Sequence, residues 1–329
     1  MAFINDLLGS LKSGSQNPEA EKTSSVQLQR RAGRGKITVF TSGKGGVGKS
    51  TVSSAVAGFL SKEGRKVLLI DTDTGLRTID IMMGMEDGVT SNLYDVIEER
   101  VDWQKALVTR ADIPNLYILP SDQSRSKESI RKDAFEKFLM NAARYFDHII
   151  IDCPAGIEYG FTLAVSGCDE AYVVVMPEAP SIRGAAQVVR ILEQRNISPV
   201  CAVLNCGVEK LEKGHLSASL EEVEDTLGVP VRAYIPMDLT VKACNHKGIP
   251  LALWSRPSPA VAAIRNFVVD VWLTPETIWE KGKDQGAGAS SRTASIRRSA
   301  ASVQGTGKDG VSGDSDGVLP PASGGEILL

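Results

Sequence analysis

The stretch Phe40-Thr41-Ser42-Gly43-Lys44-Gly45-Gly46-Val47-Gly48-Lys49-Ser50-Thr51 constrains this chain more than any other. It fits the pattern G-x-x-x-x-G-K-[ST], with Gly43, Gly48, Lys49 and Ser50 at the fixed positions. A loop of this kind curls backbone N–H groups round a polyphosphate, and glycines permit the positive φ angles that the curl requires. Lys49 supplies a cation to the β/γ oxygens, and the Ser50 hydroxyl is placed to ligate Mg²⁺. Residues 37–40 read as a buried strand before the loop. After it, Val52, Ala55, Val56, Phe59 and Leu60 form one helical stripe, with Gly64 as a stop. Strand, loop and helix in that order distinguish a phosphate-binding loop from a flexible Gly-rich turn.

Composition sets the frame around this loop. The chain has 329 residues, 42% of them apolar, enough for one α/β domain of about 240 residues with flexible ends. The boundaries expected are a candidate amphipathic helix at 1–15, a polar and basic linker at 16–35, the folded domain at 36–274, and a Gly/Ser/Asp-rich tail at 275–329 too poor in large apolar residues to order itself. A net charge of −3 argues against bulk nucleic-acid binding, which wants a basic face. The five cysteines show no C-x-x-C spacing and read as reduced, mostly buried thiols of a cytosolic protein. No apolar run approaches the roughly 18 residues of a membrane-spanning helix. Asn5 and Asp6 interrupt the N-terminal apolar stretch, against a signal peptide.

Short, continuous apolar runs recur at 67–70, 116–119, 148–151, 171–175 and 200–204, most of them separated by helix-length amphipathic segments such as 133–143 and 181–194. Strands that are apolar throughout are covered on both faces. The expected fold is therefore α/β, a doubly wound and mostly parallel sheet with helices on both sides. Active groups then belong at the strands' carboxyl ends. Asp71 and Asp73 follow the second run, and Asp152 ends the run at 148–151. A strand-terminal aspartate facing a phosphate loop can hold Mg²⁺ through water, and another can position the attacking water. A helix N-cap is the alternative use for each one alone.

Lys44, with the double glycine after it, makes the loop more specific. The run 44–49 resembles the deviant phosphate loop of the MinD/ParA ATPases, P-loop NTPases of the SIMIBI type. Residues 71–80 and 152–158 are similar to the switch I and switch II segments of the MinD branch, as are 92–96 and 115–120 elsewhere. The resemblance spans roughly residues 36–272. It implies a Mg²⁺-dependent ATPase that closes into an ATP-held homodimer, used in placing the cell-division site. Lys44 then reaches the partner's nucleotide and joins Lys49 in catalysis. The loop from Gly43 through Gly45, Gly46, Val47 and Gly48 to Thr51 binds ATP. Ser50, Asp71 and Asp152 lie at the metal, and Asp73 orients the hydrolytic water, though Asp71 and Asp73 can exchange roles. Asn205, Pro236 and Asp238 fall where the family surrounds adenine, yet Asn in a loop and Pro before a turn also have purely structural uses. The implied partners are division regulators of the MinC/MinE kind, and the implied location is the cytoplasm, with reversible peripheral association with the inner face of the cell membrane.

Two departures stand out: Gly184 where the family commonly has Asp, and Thr78 for a frequent Asn. The C-terminal tail also carries no basic amphipathic helix of the kind with which the family binds membrane. Phe3, Ile4, Leu7, Leu8 and Leu11 instead form an apolar stripe at the N-terminus, with the basic cluster Arg30, Arg31, Arg34 and Lys36 beyond it. Stripe plus cluster suits an anionic lipid surface, made nucleotide-dependent by avidity in a dimer. Docking of the stripe on the chain's own fold, or on a protein partner, is the competing expectation. Rival functions are a positioning ATPase for flagella or another envelope structure and a ParA-type DNA-segregation ATPase, the latter disfavoured by the acidic balance. Scattered cysteines speak against an iron–sulfur carrier, and a tail without tyrosine speaks against a tyrosine autokinase.

Overall fold

The computed structural model describes residues 28–73, 78–121 and 130–274. Eight strands form one sheet: β1 (Lys36–Thr41), β2 (Val67–Asp71), β3 (Val108–Arg110), β4 (Ile113–Leu119), β5 (His148–Asp152), β6 (Glu170–Val175), β7 (Val200–Gly207) and β8 (Val231–Pro236). Their order is β3-β4-β2-β5-β1-β6-β7-β8, parallel throughout except for the β3–β4 pair. The five apolar runs and the strand before the loop all lie in this sheet. The sequence reading missed the two edge strands, and the edges explain why. β3 is three residues long, and β8 carries Arg232 because an edge strand need not be apolar throughout.

The helices are α1 (Lys49–Lys62), α2 (Thr78–Met82), α3 (Leu93–Ile97), α4 (Lys132–Ala142), α5 (Tyr159–Ala164), α6 (Ala179–Gln194), α7 (Glu209–Lys213), α8 (Leu220–Leu227), α9 (Leu239–His246) and α10 (Pro259–Val268). Alternation along the strands sorts the core into two layers. Ile37, Val39, Ile149 and Ile151 point to the layer packed by α4, α6 and α8. Phe40, Ile150, Tyr172 and Val174 point to the layer packed by α1 and α10. All five residues of the predicted helical stripe, Val52, Ala55, Val56, Phe59 and Leu60, are buried in that second layer, and Gly64 turns the chain after it at φ 81°. Among the described residues, no helix is long and apolar enough to cross a membrane.

Residues 28–35, expected as part of a linker, are strapped to the fold. Leu28 packs against the first core layer, and the Arg31 and Gly35 amides donate to the carbonyls of Arg144 and Ala143. The basic cluster is largely consumed in this strap. Arg31 pairs with Asp147 at 2.7 Å, Arg34 with Asp169, and Lys36 with Glu170 at 2.7 Å. Arg30 donates to the Tyr145 hydroxyl at 3.0 Å. The cluster that the sequence placed beyond the linker is thus paired largely with acidic neighbours on the same surface. The apolar stripe Phe3, Ile4, Leu7, Leu8 and Leu11, and the tail at 275–329, lie outside the described residues.

Candidate functional site

The loop between β1 and α1 sits at the carboxyl edge of the central strands, where β2 and β5 also end. The register places Phe40 and Asp71 each opposite Asp152, so the two strand-terminal carboxylates are neighbours beside the loop. Gly46 and Gly48 take φ values of 78° and 92°, which ordinary side chains rarely adopt. A Cβ added at Gly46 would meet nothing within 4 Å, so the loop is open on that side. Gly43 is the opposite case. A Cβ there would overlap the backbone of Gly184 in α6, and a Cβ on Gly184 would come within 2.9 Å of the Gly43 carbonyl oxygen. The unexpected glycine at 184 therefore meets Gly43 in a close backbone crossing between loop and helix.

Asp152 is the most tightly held carboxylate of the site. The Ser50 hydroxyl donates to its Oδ2 at 2.6 Å, the Ser53 hydroxyl donates to Oδ1 at 3.1 Å, and the Lys49 ammonium lies 3.7 Å from Oδ1. Asp71 Oδ1 accepts from the Asp73 amide at 2.9 Å, whereas its buried Oδ2 has no hydrogen-bond partner. Burial opposes the charge on Lys49, but Asp152, Asp73 and Asp71 around it outweigh burial and raise its pKa. Burial and then the charge of Asp152 push the Asp71 carboxyl up to about 8. Burial also raises Asp152. Lys44, by contrast, stands on the open lip of the loop with nearly half its side chain exposed, 3.3 Å from Glu178.

The "AAA domain" family matches residues 35–198. The septum site-determining protein MinD of Synechocystis is 37% identical over 232 residues, 70% of this chain and 87% of that one. The chain belongs to the MinD family. Among solved structures, the MinC:MinD cell division complex of Aquifex aeolicus superposes with a TM-score of 0.68 at 33% identity, covering 73% of this chain and 96% of that one. MinD of Pyrococcus horikoshii complexed with Mg-ADP gives 0.65 at 26% identity, covering 72% and 96%.

Mg-ADP is the group held by the Pyrococcus horikoshii protein, and the donors of the site in this chain are of a kind that suits it. Hard oxygen donors suit Mg²⁺, and the site offers Ser50 Oγ, the adjacent Asp152 and the unsatisfied Oδ2 of Asp71. Among the described residues no cluster of three or more His, Cys, Asp or Glu side chains has the arrangement of a metal cage. A cation here would rely on phosphate oxygens and water alongside these few ligands, the usual coordination habit of Mg²⁺.

The three residues expected around adenine divide. Asn205, at the carboxyl end of β7, donates from Nδ2 to the Val47 carbonyl at 2.8 Å and so braces the loop directly. Pro236 ends β8 opposite Gly207. Asp238 is committed to helix caps: its Oδ1 accepts from the Thr240 amide at 2.8 Å and its Oδ2 from the Ser258 hydroxyl at 2.5 Å, while Ser258 Oγ caps α10 by accepting from Val261. Burial works against the Asp238 charge, but these hydrogen bonds outweigh it and hold the pKa below the usual carboxylate value. Asp238→Ala should therefore cost about 1–2 kcal/mol of stability, the value of a good cap. Chemical denaturation checks this, and a nucleotide affinity lost without a stability loss would favour the adenine role over the cap.

Sequence reasoning missed Ser53 and Asn245. Ser53 follows Ser50 by three positions on one helix, a spacing that places both hydroxyls on one face. That signal was available. Asn245 donates to Thr51 Oγ1 at 2.9 Å from 194 positions away, and nothing local announces it.

The raised Asp71 has a measurable consequence. Between pH 4 and 8 the folded chain keeps a proton on Asp71 that the unfolded chain, with its ordinary value of 3.8, has released. Nucleotide-free stability contributed by this group is therefore present at low pH and lost as pH rises toward 8. Asp71→Asn should flatten that decline, so its advantage in melting temperature over the natural chain grows from pH 5 to pH 8. Melting curves that stay parallel across this range would contradict the assignment.

Proposed function

We propose that this chain is a Mg²⁺-dependent ATPase whose ATP-bound form dimerises, binds the inner face of the cell membrane and places the cell-division site with a MinC-type partner. The observation that carries the reading is the set of contacts around Asp152: a loop lysine and two hydroxyls of α1 converge on one buried strand-terminal carboxylate. Family membership supports the biological use.

In this reading the loop amides and Lys49 would hold the β/γ-phosphates, and Ser50, Asp152 and Asp71 would hold Mg²⁺. Bound Mg²⁺ would neutralise charge on the phosphates as the terminal bond breaks. Asp73, beyond Asp71 and exposed enough to meet solvent, positions the attacking water, with Asp71 as the alternative. Lys44 must leave Glu178 to reach the partner's nucleotide, where a cation delivered in trans acts as an arginine finger does. Asn205 sets the adenine side by bracing the loop, and Pro236 borders the same edge. The N-terminal stripe supplies the membrane contact, since the basic strap is already paired.

Sedimentation with anionic vesicles tests this reading. ATP, and not ADP, should bring the intact chain down with the vesicles, and removal of residues 1–15 should leave it in the supernatant with ATPase activity retained. Equal pelleting of the truncated chain would rule out the stripe as anchor.

A further inference from the structure

The surface holds a groove that the ATPase chemistry does not use. It measures about 800 Å³ and runs between α4 and the segment from α3 to Trp103. Val96, Ile97, Val101 and Trp103 line one wall and Ala134 and Phe138 the other. Trp103 packs edge-on against Phe138, Tyr145 and Phe146, with ring centroids 6.3, 5.3 and 6.1 Å away, so the wall is rigid. Polar residues, among them Glu98, Asp102, Arg131 and Asp133, share the lining with these apolar ones, and a mixed lining suits an amphipathic helix laid in the groove with anchors at i, i+4 and i+8 or their neighbours.

The strap brings the chain's own N-terminal segment to this groove. Arg30 lies over the Tyr145 ring at 5.7 Å and donates to its hydroxyl, and Tyr145 in turn packs on Trp103. Arg30, two residues after the described chain begins at Leu28, is thus joined through Tyr145 to the groove residue Trp103. Sixteen residues, 12–27, separate Leu28 from the stripe Phe3, Ile4, Leu7, Leu8 and Leu11. A flexible linker of that length spans about 22 Å on average, and such tethering gives an effective concentration in the millimolar range. The rim carries both signs, Glu99 and Lys137, as the segment does in Asp6 and Lys12.

We infer that residues 3–11 dock as a helix in this groove between α3 and α4, covering in the nucleotide-free monomer the apolar stripe that the ATP-bound form exposes. The elements that flank the groove touch both switch segments. The Ser121 hydroxyl, two residues beyond β4, donates to the Asp73 carbonyl at 3.2 Å. The neighbouring Pro120 carbonyl receives the first amide of α3, that of Leu93. At the other side the Tyr159 hydroxyl of α5 donates at 2.5 Å to the Ile130 carbonyl just before α4. A nucleotide-driven shift at Asp73 or at α5 would therefore move the groove's walls. Docking itself stands apart from the membrane reading; only the consequence for lipid binding rests on it.

The test places a photo-reactive phenylalanine analogue at position 7 of the full chain, without lipid or nucleotide and at low protein concentration. Cross-links should form within one chain and map to residues 96–103 and 134–141, and Ala134→Arg should remove most of them. Cross-links between chains, cross-links elsewhere on the fold, or a yield unchanged by Ala134→Arg would each overturn the proposal. Hydrogen exchange gives a check that needs no groove variant. Removing residues 1–15 should speed exchange in α3 and α4, and identical exchange would count against docking. If the cross-links behave as expected and Ala134→Arg with ADP also pellets with anionic vesicles, the stripe is a withheld lipid anchor. Expected cross-links without any pelleting would keep the docking and sink the membrane reading.

Discussion

Gly43→Ala should lower nucleotide affinity by about 100-fold or more, the scale on which misplacing a binding group by an ångström is felt. The new methyl would overlap the backbone of Gly184, and neither partner is a flexible side chain that can swing aside. The loop must then lift from α6, carrying Lys44 with it and tilting the amides that cradle phosphate. Gly46 offers an internal control for bulk, because a Cβ there meets nothing, although its φ of 78° adds strain of about 1 kcal/mol. Calorimetric titration with ADP measures both variants. An affinity for Gly43→Ala within a few-fold of the natural chain would mean that the crossing with Gly184 is not rigid. The same crossing accounts for the glycine at 184: a larger residue there would press on the loop's own carbonyl at 2.9 Å.

That crossing also marks the boundary of what the sequence could disclose. The loop motif, the apolar runs and the strand-terminal aspartates were legible because each is a local pattern whose physics repeats along the chain. Residues 37–40 and 67–70 read as buried strands for the same reason that they are central: both faces are covered, so no charged residue interrupts them. β8 escaped because an edge strand tolerates Arg232. Gly184 was noticed as unusual, but its meaning lay 141 positions away at Gly43, and no spacing rule spans that distance. The basic residues at 30–36 were read as a patch because their acidic partners, Asp147, Asp169 and Glu170, are far from them along the chain. Asp238 likewise was placed by its position after β8, and its hydrogen bond from Ser258, 20 positions on, could not be read there. Local chemistry was readable, then, and long-range pairing was not.

Lys44→Ala should reduce ATP turnover by about 1000-fold or more while leaving the fold and ADP binding almost untouched. The two halves of this expectation have separate causes. Lys44 is nearly half exposed and its ion pair with Glu178 is a surface contact, which contributes at most about 1 kcal/mol. Its loss should leave the melting temperature within a few degrees. The cation itself, if delivered to a partner's phosphates, meets charge that develops only as the bond breaks, and such groups are worth about 10³ to 10⁵ in rate. Lys49 contrasts in both respects: it is buried against Asp152, so its removal would leave that buried carboxylate without its cation and damage stability with activity. Mixing decides whether Lys44 acts in trans. In a heterodimer of Lys44→Ala with a chain whose own site is disabled by Asp73→Ala, the partner still supplies an intact Lys44 to the only site that retains Asp73. Activity should reappear in the mixture though neither parent has it. If mixing restores nothing, Lys44 serves its own nucleotide and the dimer has another purpose.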